Sequence, residues 1–144
     1  MNSYKAVTVH GLHQATTVLR CGLPVTLLSA RGAALAGGCL WWRELIDAAR
    51  TAVPHTPCDD ILDCADAPGR AMAALRVGQK ALILAPDHPS FAAVAGAAAT
   101  LGARLLARRP ASFDPGPRDL DTAYGMAKLQ LWLSDPTTTP VDAK

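Results

Sequence analysis

Short apolar runs alternate with helix-like stretches along this chain. Runs at 6–9, 25–28, 61–64 and 81–85 each stop at a short polar or glycine-bearing loop, and a helical pattern follows each of them. A fifth run, 104–107, ends at Arg108 and Arg109. This alternation predicts an α/β fold with about five mostly parallel strands and helices on both faces. Strands covered on both faces read as near-continuous apolar segments, as Val25-Thr26-Leu27-Leu28 does. Parallel sheets bind ligands outside the carboxyl ends of their strands. Those ends carry His10, His13, Ser29, Arg31, Asp63, Cys64, Asp66, Asp87 and His88, with Arg108 and Arg109 after the fifth run.

A length of 144 residues suits one domain, expected over 1–134, with a disordered tail at 135–144. Half the residues are apolar, enough for a core. The 14 basic and 12 acidic groups nearly balance, and the arginines are scattered, so no nucleic-acid partner is expected. Arginine outnumbers lysine, Glu44 is the only glutamate and alanine is abundant, a composition of GC-rich bacterial coding. No run approaches the ~20 apolar residues that span a bilayer, so no membrane partner is expected. Residues 1–5 contain no signal-peptide core, which makes the cytoplasm the expected location. Cys21, Cys39, Cys58 and Cys64 form no CxxC pair, and the expectation is reduced, mostly buried thiols without zinc.

The pattern places a strand at 5–10 and a helix at 13–21. A second strand follows Pro24, then a small-residue loop at 29–38 and a helix at about 39–53. A strand at 59–64 leads to Asp66 as helix cap, Pro68 in the first turn and a helix at 69–77. After a strand at 81–85, Asp87 or His88 is expected to cap an alanine-rich helix at 89–101. A proline- and glycine-bearing loop at 110–117 precedes a final helix, capped by Asp119 and reaching about residue 133. This helix has an apolar surplus, Leu120, Tyr124, Met126, Leu129, Leu131, Trp132 and Leu133. Adjacent Trp41 and Trp42 point about 100° apart on a helix, so one core cannot cover both. Both features suggest a homodimer.

Two resemblances follow from these units. Arg43-Glu44-Leu45-Ile46 with Ala48-Ala49-Arg50, the strand Ile61-Leu62-Asp63, the helix 71–75 with Gly78, and 80–86 resemble consecutive units of barrels of the keto-deoxy-phosphogluconate aldolase type. That family closes eight strands and carries a Schiff-base lysine on a later one. No lysine here matches it, since Lys80 precedes its strand, so aldolase activity is not implied. The segments 24–30 and 62–69 with Trp41-Trp42-Arg43 also resemble a group of small bacterial α/β proteins, which implies no activity.

Chemistry is then sought at the strand ends. Arg31-Gly32 beside Ser29 suits an anion, but no Walker or dinucleotide glycine pattern is present and no cofactor is expected. Asp63 and Asp66 form a carboxylate pair that would serve as base and partner, hold a divalent cation, or act as helix cap and loop brace. Cys64 needs a histidine to become a nucleophile. His10, His13 and His88 with Asp87 lack any metal-site spacing. The expected architecture is flavodoxin-like or Rossmann-like, with a half (β/α) barrel as the alternative. The expected function is a non-catalytic binding or self-associating module. The alternative is a lyase- or hydrolase-type enzyme using Asp63, Arg31 and a histidine on an anionic metabolite.

Overall fold

The alternation produces an α/β fold with six strands among the described residues, flanked by helices and consistent with a flavodoxin- or Rossmann-like architecture. Every described pairing is parallel. The structure is a computed structural model and describes residues 4–135. Residues 136–144 of the expected tail lie outside the described residues. The chain forms two compact units: one from residues up to Leu28, Leu45–Asp59 and Pro110 onward, the other from Ser29–Glu44 and Asp60–Arg109. Among the described residues, no helix is long and apolar enough to cross a membrane.

In the first unit, β1 (Ala6–Thr8) lies between β2 (Val25–Leu28) and β6 (Ser112–Phe113), with Val7 level with Leu27 and Phe113. All residues of β1 and β2 are buried, which explains their apolar composition. Helix α1 (Leu12–Leu19) covers them with Ala15, Val18 and Leu19 at helical spacing. The sixth strand falls inside the expected 110–117 loop. Two residues flanked by prolines are too short for a strand pattern, and their pairing with β1 supplies the order instead.

The final helix also departs from expectation. Asp119 does not cap it but opens a 3-10 turn (Asp119–Asp121), its Oδ2 accepting from Gly116 N at 2.7 Å. Helix α6 (Ala123–Ser134) begins after Thr122, whose hydroxyl accepts from Gly125 N at 3.0 Å. Gly125 permits this close turn: a Cβ there would sit 1.8 Å from the carbonyl oxygen of Asp119. Leu129 and Leu133 are buried, and half-buried Trp132 donates from Nε1 to Ala6 O at 2.9 Å. Trp132 and Leu133 therefore both have packing partners within the chain.

In the second unit the order is β3–β4–β5, from β3 (Cys58–Asp63), β4 (Ala81–Ile83) and β5 (Arg104–Leu106). The unit boundary runs through β3 and through α3 (Gly38–Ala52). The expected small-residue loop holds a one-turn helix, α2 (Ala33–Ala36), entered through Gly32 at φ +65°, a conformation that favours glycine. Helix α4 (Pro68–Arg76) starts at Ala67 without a side-chain cap, so Asp66 is not the expected cap. Pro68, at the first position, needs no hydrogen-bond donor. Helix α5 (Phe91–Thr100) likewise follows Ser90, and neither Asp87 nor His88 caps it. His88 Nδ1 instead accepts from Ser90 N at 3.0 Å.

Trp42 is fully buried and Trp41 is 39% exposed, as the angle between adjacent positions requires. Asp60 collects three donors on Oδ2: Trp42 Nε1 at 2.8 Å, Arg43 Nη2 at 2.5 Å and Gln79 Nε2 at 2.8 Å. This network satisfies a buried charge that would otherwise be costly.

Candidate functional site

Buried Ile61 and Leu62 anchor β3, and Asp63 follows at its carboxyl end. Ser29, fully buried, brings its own segment alongside: Ser29 N donates to Ile61 O at 3.0 Å, and Asp63 N donates to Ser29 Oγ at 2.9 Å. Asp63 is 4% exposed, and both its oxygens are engaged. Oδ1 accepts from Ala65 N at 2.8 Å. That bond braces Ala65 at φ +50°, a left-handed conformation costing about 1 kcal/mol for a residue with a Cβ. Oδ2 accepts from Arg109 Nη1 at 2.7 Å, and the same Arg109 nitrogen donates to Ser29 O at 3.1 Å. The side chains of this ion pair are 13% and 5% exposed, so Arg109 is held in one place.

Arg109 and Asp63 form part of a cleft of about 660 Å³ at the carboxyl ends of β3, β4 and β5. Arg31, Arg108 and Asp66 complete its polar lining, and Ala65, Ile83, Ala85 and Ala107 contribute apolar surface. Arg31 and Arg108 are exposed and make no hydrogen bond or ion pair with the described residues. Three guanidiniums thus meet two carboxylates, one of which is already paired.

The other candidates fall outside this cleft. Cys64 is fully buried, and its thiol is pushed up to about 12 by burial first, then by Asp63 and Cys39. It is therefore a protonated, inaccessible sulfur at neutral pH. Asp87 and His88 do not line the cleft. Lys80 is exposed before β4, at the end opposite the cleft.

His10 and His13 belong to the first unit. His10 Nε2 lies 2.9 Å from Asp114 Oδ1, and His13 Nε2 lies 3.1 Å from Asp121 Oδ1. Both histidines line a crevice of about 660 Å³ with Gln14, Asp114 and the Pro115–Pro117 turn. Gln14 ties its two sides together, accepting from His10 N at 2.8 Å and donating to Gly116 O at 3.2 Å. Sequence reasoning missed Gln14, Asp114 and Asp121, because nothing local links residue 10 to residue 114. Arg108 and Arg109 were legible as strand-end residues, but the pairing of Arg109 with Asp63 was not. Among the described residues, no group of three or more histidine, cysteine or acidic side chains is placed to hold a metal ion. No protein-family model matches the chain, and no curated protein matches it significantly.

Proposed function

We propose that the chain is a binding module that takes an anionic small molecule, without chemistry on it, at the carboxyl edge of β3, β4 and β5. The observation that carries this reading is the Asp63–Arg109 pair, which fixes one guanidinium beside the unpaired Arg31 and Arg108. Guanidiniums are planar forks that match carboxylate and phosphate oxygens two at a time. A guanidinium already held in place loses little freedom when the ligand arrives. Asp63 has both oxygens committed and Cys64 has no accessible thiolate, which favours binding over catalysis.

Titration of the full chain with inorganic phosphate and with succinate tests this, read by calorimetry and by amide shifts. The expected result is saturable binding with shifts at 29–31, 63–66 and 107–109. Arg31→Ala combined with Arg108→Ala should weaken it at least tenfold, about 1.4 kcal/mol, with the melting temperature unchanged. Shifts confined to 54–59 or 78–80 would place any ligand at the opposite rim, and no binding of either anion at millimolar concentration would remove the reading.

Self-association is the second part of the proposal. Tyr124 and Leu131 on α6 are 73% and 68% exposed, and they remain available after Trp132 and Leu133 have packed within the chain. Free thiols at Cys21, Cys39, Cys58 and Cys64 support the reducing cytoplasm as the place where the module works.

A further inference from the structure

β1 has β2 on one side and β6 on the other, so the direction of strand succession reverses there. In parallel sheets the crevice outside such a reversal is where ligands bind. That crevice is the one walled by Gly11, Pro115, Gly116 and Pro117, with His10, His13 and Asp114 as its titratable groups. Asp121 stands behind His13.

A carboxylate only accepts hydrogen bonds, so the imidazole nitrogen facing it carries the proton. His10 Nε2 therefore donates to Asp114, and in the tautomer this bond selects the lone pair lies on Nδ1. Nδ1 makes no hydrogen bond with the described residues. Gln14, 7% exposed and bonded at both ends of its amide, holds the His10 backbone in place. The combination is a half-exposed base, its side chain 46% exposed, oriented by an exposed carboxylate at the wall of the crevice. His13 repeats the pairing, but its side chain is 73% exposed, so it stands on the rim.

The geometry points to a proton-transfer site, in which His10 Nδ1 removes a weakly acidic proton from a neutral small molecule bound in this crevice. The carbon–hydrogen bond breaks and a nitrogen–hydrogen bond forms. The electron pair stays on the ligand, next to an electron-withdrawing group such as a carbonyl. The imidazolium then returns the proton to a neighbouring atom of the ligand, an isomerisation that needs no co-reactant. Asp114 is the positioning residue: it fixes the tautomer and stabilises the imidazolium. The first turn of α1 offers backbone N–H groups that lack intrahelical partners to the charge that develops. A neutral ligand fits because the Asp114 and Asp121 carboxylates beside the two imidazoles disfavour an anion. This site is independent of the anion cleft, whose residues all belong to the other unit.

The probe is 5-nitrobenzisoxazole, a neutral ring that a base opens by taking its C–H proton as the N–O bond breaks, leaving a nitrile and a phenolate. The full chain should open it about a hundredfold faster than free imidazole at equal concentration. His10→Gln should abolish that excess, and His55→Gln, an exposed histidine outside the crevice, should retain it. Asp114→Asn keeps a hydrogen-bonding side chain but favours the opposite tautomer. It should lower kcat about tenfold or more with KM within about twofold. Nitrogen-15 spectra of the unaltered protein should show the His10 proton on Nε2. A wild-type rate equal to that of imidazole, an unaffected His10→Gln, an unaffected kcat in Asp114→Asn, or a His10 proton on Nδ1 would each overturn the site.

Discussion

Asp63 shows how a single residue joins stability to binding. Its side chain braces the left-handed Ala65 through one oxygen and pins Arg109 through the other. Asp63→Asn removes the charge that compensates the enclosed guanidinium. Breaking such a pair costs about 3–5 kcal/mol, so the urea midpoint should fall by that equivalent. Asp63→Asn combined with Arg109→Met should recover much of the loss, because no buried charge is then left uncompensated. Cys64 makes a second residue-scale prediction. Its unfolded thiol ionises from about 9.0, while the folded thiol holds its proton until about 12. Between those values the unfolded chain binds fewer protons, so stability is intact below about 9 and falls as pH rises. The slope from this group approaches about 1.4 kcal/mol per pH unit. Denaturant titrations at pH 8, 9 and 10 should show the decline, and Cys64→Ala should flatten its share of it. A slope unchanged in Cys64→Ala would mean that the thiol ionises as freely in the fold as outside it.

At the scale of elements, α6 depends on how closely its first turn meets the 3-10 turn before it. Gly125→Ala would press a methyl group into the Asp119 carbonyl, at a cost of about 1–3 kcal/mol. Thr122→Ala removes the cap and should cost about 1 kcal/mol. Thermal melts of both variants check the order, with the glycine substitution the more damaging. Strand β6 illustrates the opposite dependence. Its Ser112 hydroxyl lies 2.9 Å from that of Thr8, and its two residues have no strand pattern of their own. The element exists because β1 presents a buried edge for it to pair with.

At the scale of the whole molecule, slow amide exchange is expected in 25–28, 61–63 and 81–83, the buried runs of β2, β3 and β4. Rapid exchange in two of the three would contradict strands enclosed on both faces. Self-association is decided by sedimentation at high micromolar concentration. Leu131→Asp should lower the observed mass without lowering the melting temperature, since the side chain is 68% exposed. A wild-type chain that sediments as a monomer would show that Tyr124 and Leu131 are solvated surface.

The sequence by itself determined the class of fold and the buried strands, because a parallel strand must be apolar on both faces and therefore writes itself as a continuous run. It also determined that Trp41 and Trp42 cannot share one environment, since helical geometry separates neighbours by a fixed angle. The carboxyl-edge residues were legible for the same reason: strand ends can be located from the runs they terminate. Only the tertiary structure decided what those residues do. It turned Asp66 from a helix cap into a cleft residue and paired Asp63 with Arg109. It also set His10 opposite Asp114 and enclosed Cys64. Each of these rests on segments far apart in the chain meeting within hydrogen-bond reach, and local pattern carries no information about which distant carboxylate a given cation or imidazole will meet.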